Sequence, residues 1–455
     1  MKASVVIGAG FGDEGKGVVT SLLAADAGED ALVIRFNGGA QAGHTVVSGG
    51  RRHVFSHFSS GSFSGATTFL SRYFVANPLL FLKEREALRH RGVRSHILAE
   101  PDMLITTLFD MLVNQMSEIA RGADRHGSCG VGFGETVERS LVPRFRLCLS
   151  DFAGDPSRCR RALRALLVEI RDNWVPKRLA ALGLADAANR PELAELFAVA
   201  SNDELIDQWI EDALEFAADI EISDLAPVRT AARRGSLVFE GAQGLLLDQD
   251  RGWFPHVTRS NTGVKNALEI AERAAIDALD VTYVTRAYLT RHGSGPLPGE
   301  LSHAPYAGIV DETNVENSYQ GRLRYAWLDL DLLASTIVAD LGDAAGASAA
   351  VSPRLAVTCL DQVGGQVTLV ADGARRTVRE SEFLDAALRQ TGLESAVALH
   401  GADGSGAVVH ARSGRSVESV GGLASRIPKC IEDDVIGSTA GSPRDSNFEL
   451  EGQQA

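Results

Sequence analysis

The sequence contains no uncharged run of about 18 apolar residues, so no membrane-spanning helix is expected. It also lacks a surplus of positive charge. Lys+Arg 45 against Asp+Glu 59 leaves a net charge of −14, which excludes general binding to nucleic acid or to an anionic membrane. Any phosphate-bearing ligand must therefore be gripped by a local set of donors. Cysteines are few: five, an odd number, irregularly spaced and with no CxxC pair, the pattern of reduced intracellular thiols. Only the seven residues MKASVVI precede the first glycine-rich turn, too few for the apolar heart of a signal peptide, so a cytoplasmic location is expected. No fixed-period repeat is present. What remains is an ordinary globular composition, 45% hydrophobic and 23% charged, in a chain of 455 residues. That length suits one large α/β body with insertions, and residues 1–455 are read as such a body.

Ala3–Gly8 is a short β-branched run that ends in glycines, and Val18–Ala25 then reads as a helix. A second buried strand, Ala31–Asn37, runs into the loop GGAQAGHT. Further strand-like runs are Ser236–Glu240, Val281–Leu289 and Arg354–Leu360, each opening into a polar or glycine-bearing loop. Loops at the carboxyl edge of a mostly parallel sheet are where α/β proteins build their sites. Residues 155–225 change to helical texture and read as an insertion. Ser157 precedes a run with Leu163, Leu166, Leu167 and Ile170 on one face, ended by Pro176. Ser201 to Glu204 offers a capping box for a helix burying Leu205, Trp209, Ala213 and Phe216. Gly401–Gly422 reads as loop with short strands, and the polar end, 447–455, as a frayed tail.

Residues 8–18, GAGFGDEGKGV, follow the first strand. From Gly10 the stretch fits the P-loop spacing up to Gly15 and Lys16, but Gly17 stands where a magnesium-binding Ser or Thr belongs. From Gly8 it begins as a dinucleotide fingerprint, but Asp13 occupies the third glycine position. Glycine lets backbone N–H groups approach phosphate oxygens, the following helix adds its positive end, and Lys16 adds a cation. Asp13 would repel phosphate unless magnesium lay between them or unless it served as a base. His44, in the second glycine loop, lies at the edge that should flank Asp13, where an acid and an imidazole can move protons or stabilise developing charge. Glu240, directly after the apolar triplet Leu237-Val238-Phe239, must be paired or hydrogen-bonded, and reads as a residue that orients a loop. Arg322 and Arg324 bring planar forks suited to carboxylate or phosphate.

Taken together, several loops resemble the adenylosuccinate synthetase family. The matching pieces are GFGDEGKG (10–17), RFNGGAQAGHT (35–45), HGSCGVGFGE (126–135), FEGAQGLLLD (239–248), VTRSNTG (257–263), TRHGSGPLPGE (290–300), GRLRYAWLD (321–329), TCLD (358–361) and GSTAGSPRD (437–445). The resemblance implies a GTP-dependent ligase that joins L-aspartate to C6 of IMP through a 6-phosphoryl intermediate. It implies magnesium as the sole cofactor, a homodimer, and no nucleic-acid or membrane partner. By the same resemblance, Asp13, Lys16, His44 and Gln243 are the catalytic set, and Asp13 with the Gly43 carbonyl holds magnesium. GTP would lie against Gly12, Glu14, Gly15, Lys16, Gly17, His44, Thr45, Asp361, Ser438 and Gly441. The purine monophosphate would lie against Asp13, Gln41, Ser128, Cys129, Arg139, Gln243 and Thr258, with Arg139 reaching the neighbouring subunit's nucleotide. The amino acid would meet Tyr319, Gln320, Arg322 and Arg324.

The chain also departs from the family pattern. Gln41 replaces an Asn, Ser128-Cys129 replaces a Thr pair, and the segment before Arg139 is four residues short. Ser318-Tyr319-Gln320 stands where the family has adjacent threonines that bind the aspartate carboxylate, and Cys359 replaces a Lys in the guanine-reading motif. Retention of Asp13 favours a purine without a 2-amino group, since relatives acting on 2-aminopurine nucleotides replace this acid. Two other readings compete: a specialised paralogue using another purine nucleotide or amine, and a P-loop-like GTPase regulator. The missing hydroxyl after Lys16 speaks against the regulator. A dinucleotide-dependent oxidoreductase fits less well, because no third glycine follows Gly8 and Gly10.

Overall fold

A computed structural model describes residues 1–310, 321–401, 409–412 and 418–419. An eleven-stranded sheet forms its centre. In chain order its strands are β1 Lys2–Gly8, β2 Leu32–Arg35, β3 Thr67–Leu70, β4 Ile97–Ala99, β5 Glu221–Ile222 and β6 Leu237–Gly244. The series continues with β7 Ala278–Arg286, β8 Ala350–Thr358, β9 Ser395–Ala398, β10 Val409–Arg412 and β11 Glu418–Ser419. Their spatial order is β11-β10-β9-β8-β7-β1-β6-β2-β3-β4-β5. All pairings from β9 to β5 are parallel, and β10 and β11 add an antiparallel edge.

The apolar runs of these strands follow from burial on both faces, the usual condition of a parallel sheet. Val5 and Ile7 of β1 join Ile34, Phe239, Val281 and Leu355 in one core. Val6, pointing the other way, meets Val33, Val238 and Val19, the last on helix α1, Lys16–Ala27. Val281–Leu289, read as one strand, is two. β7 ends at Arg286, and Tyr288–Arg291 pairs instead with Arg324–Asp329 in a second, smaller sheet.

A second core lies under the helices of residues 156–218. Pro176 does not end the first of them. Pro156–Glu169 runs through a π-helical turn at Ile170–Trp174 into Val175–Ala181, and Pro176 is accommodated at that junction, where the regular hydrogen-bond ladder is already interrupted. The N-cap there is Asp155 rather than Ser157, its carboxylate accepting the Arg158 N–H at 2.8 Å. In Asp203–Ala218 the cap is Asn202, and Ile206 is buried while Leu205 is exposed. The apolar stripe is therefore offset by one residue at its start. The tail 447–455 and most of 401–422 lie outside the described residues.

Candidate active site

Four neighbouring strands, β8, β7, β1 and β6, end at Thr358, Arg286, Gly8 and Gly244, and their loops converge at one sheet edge. The loop after β1 is glycine-rich for steric reasons. Gly12 and Gly15 have φ of 94° and 91°, the left-handed region where a Cβ is costly. At Gly15 a Cβ would also lie 2.9 Å from Thr358 Cγ2. Thr358 Oγ1 donates to the Glu14 carbonyl at 2.7 Å, and Arg286 Nε donates to the Asp13 carbonyl. The loop is thus fastened from both neighbouring strands. Helix α1 starts at Lys16 without a side-chain cap, which leaves first-turn N–H groups for an anion.

Asp13 has φ 62°, a left-handed conformation that costs a non-glycine residue about 1–3 kcal/mol. Its carboxylate, half-buried, has no hydrogen-bond partner among the described residues. Glu14 and Lys16 behave differently from expectation. The Glu14 carboxylate turns under the loop, where Gly8, Gly10 and Gly244 leave room for it. It accepts the N–H groups of Gly10 at 3.0 Å and Gly12 at 2.8 Å, and Lys16 Nζ at 2.5 Å. Both members of this ion pair are buried, so the Lys16 charge is balanced from within the loop.

The second loop, residues 36–43, leads to a hairpin of His44–Ser48 and Arg51–Phe55. Gly17 joins it to α1: a Cβ there would lie 3.1 Å from both His44 Cβ and the Thr45 carbonyl oxygen. His44 Nδ1 lies 2.7 Å from Glu240 Oε1, in the orientation that donates to this carboxylate. Glu240, fully buried on β6, also accepts the Ser60 N–H at 3.2 Å and the Ser60 hydroxyl, with Arg35 Nε 3.8 Å away. Burial works to raise the Glu240 carboxyl, but the charge and hydrogen bond of His44, with Arg35 and Ser60, outweigh it and hold the group at about 2. Burial lowers the His44 pKa, aided by Arg35 and Lys16 and opposed by Glu240. His44 Nε2 is buried and has no partner among the described residues. An imidazole that donates through Nδ1 can donate to a phosphoryl oxygen through Nε2 only as the imidazolium, the form that Glu240 and an arriving phosphate both favour.

Gln243, at φ 55°, and Gln41 supply a pair of unsatisfied amides. Gln243 Oε1 and both polar atoms of Gln41 are buried without partners among the described residues. A Cβ placed on Gly38 would lie 3.2 Å from Gln243 Oε1 and 3.7 Å from Gln41 Nε2, so the two amides share one space. Buried polar groups rarely go unpaired, and these can read the edge of a heterocycle. Asn37 locks their loops together: Oδ1 accepts the Ala242 N–H at 2.7 Å, and Nδ2 donates to the carbonyls of Ala242 and Asn261.

Other expected residues divide into placed and misplaced. Thr258 is half-buried and its backbone N–H reaches the Leu247 carbonyl at 2.8 Å, near the same edge. Asp361, on a 3-10 turn after Thr358, has an exposed carboxylate with no partner among the described residues. Ser128 is committed within its own loop, its hydroxyl donating to Asn114 Oδ1 at 2.9 Å and its N–H to Glu118 at 3.2 Å. Cys129 is a free thiol whose pKa burial pushes up.

Arg139, expected to reach a neighbouring subunit's nucleotide, is engaged within its own chain. It is fully buried in its own chain, held by Asp110 and the carbonyls of Ile105 and Phe145. Arg324 is likewise engaged, by Glu300 and the carbonyls of Gly293 and Gly295, while Arg322 is exposed and unpaired among the described residues. Tyr319, Gln320, Ser438 and Gly441 lie outside the described residues.

Among the described residues, no group of three or more His, Cys, Asp or Glu side chains could hold a metal ion. Magnesium bound with phosphates needs less, one or two carboxylates with phosphate oxygens and water completing the shell. The unpaired Asp13 carboxylate fits that requirement, and the exposed Gly43 backbone is the second donor the resemblance implies. Sequence reading passed over Arg35, Ser60, Asn37 and Arg286. Arg35 carried a legible signal, a charge inside the apolar run Leu32-Val33-Ile34, as Glu240 did in its own strand.

Known proteins resemble the chain in both sequence and fold. The family model described as adenylosuccinate synthetase matches residues 5–344. The adenylosuccinate synthetase of Xylella fastidiosa (strain M12) is 33% identical over 337 residues, 72% of each chain. Fully ligated adenylosuccinate synthetase from Plasmodium falciparum superposes with a TM-score of 0.63 at 17% identity, covering 88% of this chain and 98% of that one. A cyanophage S-2L succinoaminodeoxyadenylate synthetase, bound to dGMP and to dATP as an energy donor, superposes with a TM-score of 0.51 at 14% identity, over 94% and 99%. These two likenesses are of fold. No helix among the described residues is long and apolar enough to cross a membrane.

Proposed function

Because the chain belongs to the adenylosuccinate synthetase family, C–N ligases of purine biosynthesis, we propose that it joins L-aspartate to C6 of IMP at the expense of GTP. The products are adenylosuccinate, GDP and phosphate. The observation that carries this reading is the His44–Glu240 pair, with His44 Nε2 buried and open beside the start of α1.

The chemistry runs in two displacements. O6 of a hypoxanthine is a poor leaving group until it is phosphorylated. Asp13, unpaired and held in position by its strained backbone, takes the proton from purine N1 as O6 attacks the γ-phosphorus and the bond to GDP breaks. His44, anchored by Nδ1 on Glu240 and protonated as phosphate charge arrives beside it, donates its Nε2–H to the transferred phosphoryl group and stabilises the charge there. Gln41 and Gln243 hold the purine edge. The aspartate amine then attacks C6, the C–O6 bond breaks, and O6 leaves as inorganic phosphate. Magnesium, held by Asp13 and the Gly43 carbonyl, would neutralise phosphate charge. The first-turn N–H groups of α1 receive the phosphates, and Lys16, paired with Glu14, stiffens the loop beneath them. Asp361 would accept the guanine N1 and N2 hydrogens of GTP, and Arg322 offers a free fork to an aspartate carboxylate. A homodimer in the cytoplasm belongs to the same reading, and Arg139 would not be the residue that passes between its subunits.

Phosphate release with GTP, magnesium, and each of IMP, dIMP, GMP and dGMP against a panel of amino acids tests the proposal. Turnover is expected with IMP and aspartate. Turnover only with a 2-aminopurine nucleotide would move the substrate toward that named for the cyanophage protein. GTP hydrolysis indifferent to any purine monophosphate would replace the ligase with a GTPase.

A further inference from the structure

Two loops beside Thr258 and Ser128 meet backbone to backbone. A Cβ on Gly127 would lie 2.9 Å from Gly293 Cα and from the Ser294 nitrogen, so only glycine permits the approach. The contact brings three histidines into one neighbourhood. The rings of His126 and His256 pack edge to face with centroids 5.7 Å apart. A Cβ on Gly295 would lie 2.6 Å from His256 Cβ, and the His256 carbonyl accepts Arg291 at 3.1 Å. His292 directly precedes Gly293. Both ring nitrogens of His292 and the Nδ1 of His256 are buried with no hydrogen-bond partner among the described residues. An orphaned buried donor or acceptor is costly, so three in one neighbourhood call for a ligand.

The groups expected to take the nucleotide's 5′-phosphate are largely engaged elsewhere. Arg139 is buried on Asp110, the Ser128 hydroxyl and N–H are bound to Asn114 and Glu118, and Cys129 is a protonated thiol. Thr258 remains. The neighbourhood already carries positive charge: Arg291 is buried against three carbonyls and the Phe11 ring, with no carboxylate in its hydrogen bonds, and its pKa is lowered to about 10 by burial and by Arg324. We infer that His256 and His292, with His126 packed against the former, hold the 5′-phosphate of the purine nucleotide in this chain. The imidazoles stand in for the hydroxyl and arginine donors that the fold has turned to structural use. The inference rests on the proposed function, because it assigns residues to that reaction's nucleotide. His256 and His292 are positioning residues, remote from the reacting atoms.

The test is the separation of KM from kcat. His256→Gln and His292→Gln are expected to raise KM for IMP by about 10-fold or more, the worth of a hydrogen bond to a charged group. kcat should stay within about 3-fold, and the Ki of inosine, which lacks the phosphate, should not move. Unchanged KM in both variants, or equal losses for IMP and inosine, would overturn the assignment. If either variant fails to fold, wild-type protein labelled with 15N-histidine gives the same answer. IMP, and not inosine, should move the ring-nitrogen resonances of at least two of the eleven histidines. Equal shifts with both ligands would contradict it. Failure of the wild type to turn over or bind any purine monophosphate would instead bring down the proposed function, and this inference with it.

Discussion

At the scale of single residues the site depends on two side chains left open at one end. Among the described residues, Asp13 has an unpaired carboxylate on a left-handed backbone, and His44 has one nitrogen on Glu240 and one without a partner. Asp13→Ala is expected to abolish turnover, and His44→Ala to bring it within about 10²-fold of background, both with the fold intact by circular dichroism. Near-wild-type rates in either variant would remove the assignment. Glu240 makes a prediction about pH. Its carboxyl is held at about 2 against an ordinary 4.5, so its share of stability is present above 4.5 and is lost as pH falls through about 2. His44 has a folded pKa below 6.5, so the unfolded chain gains protons first and stability also declines as pH drops below 6.5. Urea unfolding of Glu240→Gln should therefore show a flatter loss of stability toward acid than the wild type. A slope equal to that of the wild type would show that the pair is not coupled to folding. These residues were legible because chemistry limits what can stand in a glycine turn or inside an apolar strand. The inward turn of Glu14 and the burial of Arg139 were not legible. Both depend on which loops a side chain meets after folding, and identical residue types at a surface would give no different sequence signal.

At the scale of elements, the active loops are placed by contacts that only small residues allow. The first turn of α1 touches the second loop at Gly17, where an added Cβ would crowd His44 Cβ, the Thr45 carbonyl oxygen and Ser60 Oγ at 3.1–3.2 Å. Gly17→Ala is therefore expected to displace His44 and to lower kcat by about 10-fold or more, although Ala is the better helix former. An unchanged kcat with unchanged or raised thermal stability would mean that the contact has no consequence for the site. The main strands could be located from their apolar runs because a parallel sheet buries both faces. Their ends could not. Val281–Leu289 reads as one apolar run, yet β7 closes at Arg286 and Tyr288–Arg291 joins another sheet. The helix boundaries differ from the sequence pattern for a local reason: Pro156 occupies a first-turn position where a missing N–H costs nothing, and Pro176 is accommodated by the π-helical turn before it.

At the scale of the whole molecule, the spatial order β8-β7-β1-β6 brings loops more than three hundred residues apart in sequence to one edge. That order cannot be read from local pattern, because a strand's neighbours are chosen by crossover connections and not by its own residues. The resemblance of separate loop segments, in the family's order, stood in for it. The account's central claim is that one edge carries a phosphoryl group to purine O6 and then exchanges that oxygen for an amine. The most direct measurement supplies IMP labelled with 18O at O6, together with GTP, magnesium and aspartate, and analyses the released phosphate by mass spectrometry. The account predicts one labelled oxygen in each phosphate formed. Unlabelled phosphate, with the label lost to water or retained on the purine, would contradict it.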